Sequence, residues 1–213
     1  MTSKLLFDGP DESRDVVVLA HGAGASMDSP FMDRVAAGLA ERGLRVARFE
    51  FPYMQARRDG GRRGAPDRPQ VLMETWRQVV ASLGGGPRLV IGGKSMGGRI
   101  ASMVVDEIGA RGLVCLGYPF HPPGKPEQLR TKHLENLATP ALFIQGTRDV
   151  FGSADDVASY ELSPRIHVHW IEAGDHSYKP PARSDRTEAV NVGEAIAAAA
   201  DFVLNLPAAT ARI

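Results

Sequence analysis

The chain has 213 residues, 43% of them hydrophobic, with 25 basic and 25 acidic side chains and a formal net charge of zero. That length reads as a single domain, residues 1–213, with ample room for a buried core, and a neutral chain carries no global field to draw in nucleic acid or an anionic membrane. One cysteine permits no internal disulfide, and Cys and His fall in no zinc-site spacing.

The first eight residues offer too short an apolar stretch for a signal peptide, and no run approaches the ~20 apolar residues of a membrane span. The expectation is a soluble, cytoplasmic protein. Residues 16–20, Val-Val-Val-Leu-Ala, are continuously apolar and so predict a strand buried on both faces. His21-Gly22-Ala23-Gly24-Ala25 follows, and then an amphipathic helix over 31–41. Residues 45–51 alternate more, as a strand nearer an edge does. The segment 53–69, rich in Gly, Arg and Pro, is the longest irregular piece, and loops of that length are often functional or mobile. A helix is predicted over 70–83 and a strand at 89–91.

Next comes Gly93-Lys94-Ser95-Met96-Gly97, leading into a helix over 98–108. A serine on a strand-to-helix turn with glycine on both sides is the arrangement that exposes a hydroxyl for attack. The sharp turn needs positive φ at or near the serine, and a Cβ at either flank would collide with its neighbours. The helix that follows aims its N-terminal amides at the place where an oxyanion forms. Residues 113–116 predict another buried strand and make Cys115 a small core hydrophobe. Pro-rich sequence after it gives way to a helical stretch within 126–137, too small for a substantial lid. Strand 141–144 ends at Gln145-Gly146-Thr147-Arg148-Asp149, and 154–160 is a short helical candidate. Strand 166–171 ends at Glu172-Ala173-Gly174-Asp175-His176-Ser177, and a helix spans 187–206.

Strand–helix alternation over this length predicts an α/β fold of about six to seven mostly parallel strands, with helices on both faces and the ligand site at the strands' C-terminal ends. Four of those ends supply a small-residue loop, Ser95, Asp149 and His176, in the chain order Ser, Asp, His. In this set Ser95 is the candidate nucleophile and His176 the general base. Asp149 orients the imidazole, and the backbone N–H groups of Ala23 and Met96 form the oxyanion hole.

His21 is expected to shape its loop through local hydrogen bonds, His167 and His169 to be structural, and His133 to lie at the surface. His121 and Tyr118 are candidate substrate contacts at the pocket rim. Asp155 and Asp156 are read as helix caps, and Asp175 adjoins His176 too closely to serve its ring. Arg57 and Arg58, with Arg62, Arg63 and Arg68 in the same loop, are candidates to clamp a substrate carboxylate or phosphate. Against that stands a solvated loop neutralised in part by Asp59 and Asp67. Met27, Tyr53, Met54, Phe120, Phe151 and Tyr178 are candidate pocket walls because they adjoin strand ends.

These motifs resemble those of α/β-hydrolases, and more narrowly the small lid-less branch related to dienelactone hydrolases. His21-Gly22-Ala23-Gly24, Gly93-Lys94-Ser95-Met96-Gly97-Gly98-Arg99 and Gly174-Asp175-His176-Ser177 carry the resemblance, together with Gly117-Tyr118-Pro119-Phe120-His121-Pro122-Pro123-Gly124-Lys125. It runs from about residue 16 to 206. It implies a serine hydrolase acting on a small carboxylic ester, lactone or thioester, with a small-molecule acyl substrate and no metal or organic cofactor. The nucleophile is serine where the better-studied dienelactone hydrolases carry cysteine, so their particular lactone is not carried over. Acyl transfer or peptidase action by the same triad, or a catalytically silent binding module, are the competing readings.

Overall fold

The computed structural model describes residues 4–61 and 64–207. In chain order the strands are β1 (Leu5–Asp8), β2 (Val16–Ala20), β3 (Arg45–Phe49), β4 (Leu89–Lys94), β5 (Gly112–Leu116), β6 (Ala141–Gly146) and β7 (Ile166–Ile171). The helices are α1 (Pro30–Ala40), α2 (Pro52–Arg58), α3 (Pro69–Ser82), α4 (Met96–Val104), α5 (Ala154–Val157) and α6 (Glu188–Asn205). The strands form one sheet in the order β1-β3-β2-β4-β5-β6-β7, parallel throughout except for the β1–β3 pair.

The continuous apolar strands make sense once the faces are assigned. Val17, Leu19, Val90, Val114, Leu142 and Ile144 pack under α1 and α6. Their neighbours Val18, Ala20, Leu89, Ile91, Leu113, Cys115 and Phe143 pack under α3 and α4. With both faces covered, the middles of the central strands are apolar throughout, and polar side chains fall at strand ends and on the outer strands. Trp76 of α3 seals the second face, edge-on to Phe49 with ring centroids 4.7 Å apart.

After β3 the chain crosses from one side of β2 to the other to lay down β4. The direction of strand addition reverses between β2 and β4, which opens a crevice at their C-terminal ends. The loops carrying Ala23 and Ser95 flank that crevice.

Three expectations change. β1 has no counterpart among the predicted strands: it is four residues long and pairs on one side only, so it has no continuous apolar signature. Within the segment expected to be irregular, α2 forms because Pro52 sits at the first helical position, where its fixed φ and missing N–H suit a helix start. Conversely, 126–137 holds no α-helix, only the 3-10 turn Lys132–Leu134, and Pro122, Pro123 and Pro126 supply no amide for a helical ladder. No substantial lid rises from this β5–β6 connection. No helix among the described residues is long and apolar enough to cross a membrane.

Candidate active site

Ser95 joins β4 to α4 with φ 51° and ψ −115°, a region that L residues avoid unless surrounding structure enforces it. The enforcement comes from close backbone packing. A Cβ on Gly93 would lie 2.1 Å from the Ala20 carbonyl oxygen, and one on Gly97 would lie 2.5 Å from the same atom. The Ser95 N–H donates to the Leu116 carbonyl (3.0 Å) and its own carbonyl accepts from Arg99 N–H (3.0 Å). The turn is therefore pinned to both neighbouring strands, and its side chain projects at the sheet edge.

His176 Nε2 lies 2.9 Å from Ser95 Oγ, and His176 Nδ1 lies 2.7 Å from Asp149 Oδ2. Asp149 is fully enclosed, whereas the His176 side chain keeps 22% of its surface. The carboxylate is held at both oxygens: Phe151 N–H donates to Oδ1 (2.9 Å) and the Gln145 amide donates to Oδ2 (3.0 Å). Because Oδ2 can only accept, His176 carries its proton on Nδ1. That leaves Nε2 as an acceptor facing the serine hydroxyl. Phe151 packs on the imidazole with ring centroids 4.3 Å apart.

The His176 loop owes its shape to Asp175, whose Oδ1 accepts from the N–H groups of Ser177 (2.8 Å) and Lys179 (2.9 Å). Asp175 is thereby committed to its own turn. Lys94, inside the serine motif, reaches across and donates from Nζ to the His176 carbonyl (2.6 Å). Gly117, at φ +66°, makes room for this strut, since a Cβ there would lie 2.8 Å from Nζ and 2.9 Å from the His176 carbonyl oxygen.

Burial lowers the His176 pKa below the ordinary 6.5. The Asp149 hydrogen bond opposes this, and the Lys94 cation adds to it. Burial also pulls the Lys94 ammonium down to about 8. Two results follow for any reaction that uses neutral His176 as base. Its kcat/KM should rise with pH to a half-maximum below 6.5. In Lys94→Gln, removal of the cation favours imidazolium and should move that acid limb to higher pH. A pH–rate profile of both proteins checks this, and coincident limbs would refute the Lys94 contribution.

The loop after β2 packs against the same serine, with a Cβ on Gly22 placed 3.7 Å from Ser95 Cβ. His21 receives the Phe51 N–H on Nε2 (3.1 Å), so its proton is on Nδ1 and goes to the Gly22 carbonyl (2.7 Å). Both nitrogens are used, as expected of a residue that shapes a loop. Tyr53 Oη donates to the Ala23 carbonyl (3.0 Å), turning that peptide's oxygen aside. The N–H groups of Ala23 and of Met96, the first residue of α4, find no acceptor among the described residues.

Other candidates are placed differently. Arg58 forks onto Glu50 (Nε 3.0 Å, Nη2 2.7 Å) and onto Asp28 (2.8 Å). Glu50 is only 4% exposed, and Arg58 holds the Asp28 carboxyl well below its usual range. Arg57 lies over the Tyr53 ring (5.2 Å) and donates to the Gly64 carbonyl. The two arginines line a cavity of about 720 Å³ beside Gly24, with Met54, Asp28 and Glu50 in its wall. Both carboxylates are engaged by Arg58, which commits that guanidinium, while Arg57 meets neither. Asp67 accepts from Tyr53 N–H and pairs with no arginine among the described residues; Arg62 and Arg63 lie outside them.

Tyr118 and Phe120 are fully buried, Tyr118 stacked on Phe143 at 4.8 Å, so neither presents a face to substrate. Tyr178 is equally buried, with Oη donating to the Ile144 carbonyl. His121 is 4% exposed and bonded through Nδ1 to the Pro122 carbonyl, with no hydrogen bond to Ser95 or His176 among the described residues. Asp156 completes a reciprocal cap with Ser153 at α5. His169 pairs with Glu194 on α6. His133 is not a surface residue: Nε2 contacts Ser102 Oγ at 2.8 Å. Among the described residues no carboxylate is bonded to the ring of that second Ser–His pair, and Ser102 is 4% exposed with its hydroxyl donating to the Arg99 carbonyl.

What the sequence did not show is the supporting role of Lys94, Gln145 and Tyr53, the last read only as a candidate pocket wall. Gln145 had a signal, as a polar side chain ending an otherwise apolar buried strand.

Comparison with known proteins agrees with this architecture. A lid-less α/β serine hydrolase of Xanthomonas campestris superposes with a TM-score of 0.69 at 16% identity, over 95% of this chain and 90% of that one. A dienelactone hydrolase of Anabaena variabilis gives 0.71 at 19% identity, over 96% and 92%. A monoacylglycerol lipase of Paleococcus ferrophilus gives 0.72 at 16%, over 96% and 99%. At such identities the likeness speaks for the fold. A family profile described as "Alpha/beta hydrolase domain" matches residues 13–204. Spanning nearly the whole chain, that match shows that the protein belongs to the alpha/beta hydrolase family.

Proposed function

We propose that the protein is a serine hydrolase that cleaves a small carboxylic ester, lactone or thioester through an acyl-enzyme on Ser95. The observation that carries this reading is the unbroken relay Asp149–His176–Ser95, at 2.7 and 2.9 Å, on a serine held at positive φ. A serine hydroxyl is a weak nucleophile at neutral pH and needs an adjacent base. His176 Nε2 takes the Oγ proton as Oγ bonds to the acyl carbon. The carbonyl oxygen becomes an oxyanion opposite the N–H groups of Met96 and Ala23, each worth about 3 kcal/mol to the transition state. Collapse breaks the bond to the leaving group, which departs with the proton from His176. Water then repeats the sequence and releases the acid. Asp149 stabilises the imidazolium at each stage without itself taking the proton.

Compact substrates fit a site without a substantial lid, in which the β5–β6 connection carries only the 3-10 turn Lys132–Leu134. The test is treatment of the intact protein with a fluorophosphonate probe and mapping of the adduct. Trypsin cuts after Lys94 and after Arg99, so Ser95 and Ser102 fall in different peptides. Phosphonylation of the Ser95 peptide is the expected result. A folded sample that takes no label, or takes it on Ser102, would overturn the reading.

A further inference from the structure

Most arginines drawn in from solvent in this protein meet a carboxylate: Arg48 is set between Asp8 and Asp33, and Arg111 lies on Asp15. Arg57, Arg99 and Arg130 meet none among the described residues; Arg57 is bonded to the Gly64 carbonyl, which leaves Arg99 and Arg130. Among the described residues neither side chain has a hydrogen bond or an ion pair, and the Arg99 Nε is buried without a partner.

The two positions are nonetheless built together. The Ser102 hydroxyl donates to the Arg99 carbonyl (2.7 Å), and the buried Tyr118 hydroxyl donates to the Arg130 carbonyl (3.0 Å). His133 Nε2 lies between those two hydroxyls, 2.8 Å from Ser102 Oγ and 3.5 Å from Tyr118 Oη. Both hydroxyl protons are spent on carbonyls, so His133 supplies the N–H. A continuous chain of polar contacts therefore ties the backbone of Arg99 to that of Arg130. Burial and the Arg99 charge push His133 down to about 4, so it stays neutral and adds no charge at pH 7. Arg99 and Arg130 also oppose one another, their mutual repulsion adding to burial in lowering the Arg130 pKa. Two like charges held half-buried, with no counter-ion among the described residues, are costly.

Their place is informative. Arg99 lies one turn into α4 from Ser95, to whose carbonyl its N–H is bonded, and helical side chains lean back toward the N-terminus. Arg130 is held by the Phe120 carbonyl (2.8 Å), in the loop that leaves β5 beside Lys94 and His176. We propose that Arg99 and Arg130 form a subsite for an oxyanion of the substrate, a carboxylate or a phosphate, presented near the acyl carbon attacked by Ser95. The proposal rests on the serine-hydrolase reading and places anion recognition on this pair, Arg58 being committed to Glu50 and Asp28.

The test uses matched p-nitrophenyl esters whose acyl chains end in a methyl group, a carboxylate or a phosphate. Wild-type kcat/KM should be at least roughly tenfold higher for one of the anionic esters than for the neutral one, chiefly through KM. The carboxylate and phosphate arms tell the two sources apart. In Arg99→Gln, or in Arg130→Gln if the first does not fold, that ratio should fall by roughly tenfold or more. Arg99→Lys should recover part of it, and added salt should erode it. Equal turnover of neutral and anionic esters by the wild type, or an unchanged ratio in both variants, overturns the subsite. If no ester is turned over and no fluorophosphonate adduct forms, the hydrolase reading fails instead. Calorimetric titration of wild type and Arg130→Gln with inorganic phosphate and glutarate then decides the subsite alone. Saturable binding that the variant loses supports it, and binding that is absent or equal in both refutes it.

Discussion

Ser95→Ala should abolish fluorophosphonate labelling and lower kcat for a short ester by roughly 10⁶-fold, the scale seen when a serine nucleophile is removed from an intact triad. Alanine inherits the φ of 51° that serine already tolerates, so the turn should survive and circular dichroism should be unchanged. The oxyanion donors are backbone groups and remain, which leaves a residual rate of roughly 10³-fold over water. The measurement is burst-free steady-state hydrolysis by a folded variant, with intact-mass analysis after probe treatment. A variant that still turns over ester within tenfold of wild type would place the nucleophile elsewhere. Ser102, on His133, would then become the candidate despite its missing acid.

How much of this was legible before the coordinates depends on the kind of interaction. The doubly covered sheet was readable because burial on two faces leaves continuous apolar runs, and only the single-sided β1 escaped. Ser95, Asp149 and His176 were readable because each is a chemically distinctive residue at the end of such a run. What sequence could not show is which charges cancel. Arg57 and Arg58 looked like a clamp because their segment leaves a strand at the catalytic edge, yet Arg58 is met by Glu50 and by Asp28 in the loop after β2. Arg99, by contrast, looked like part of a serine motif, and its lack of a partner shows only in three dimensions. The Gln145 clamp likewise spans two loops. Polar supports of this kind have no periodicity, because their partners are fixed by the fold and not by neighbouring residues.

Asp149→Asn is the second large effect expected, about 10⁴-fold in kcat at neutral pH with KM little changed. The argument is one of donors and acceptors. In the wild type one carboxylate oxygen takes the Phe151 N–H, and the other takes both the Gln145 amide and the His176 Nδ1–H. All three partners donate, and an asparagine offers only one oxygen. If that oxygen stays opposite His176, the new NH₂ confronts the Phe151 N–H in a fully enclosed site. If it turns toward Phe151, the NH₂ faces Gln145 and the imidazole. His176 must then accept at Nδ1 and carry its proton on Nε2, pointing a donor at Ser95 Oγ where an acceptor is needed. Either orientation leaves a buried donor unpaired, and the second removes the base outright. Steady-state kinetics of the folded variant measure the loss. A fall of less than tenfold would mean that His176 keeps its tautomer without the carboxylate, and the relay through Asp149 would no longer account for catalysis.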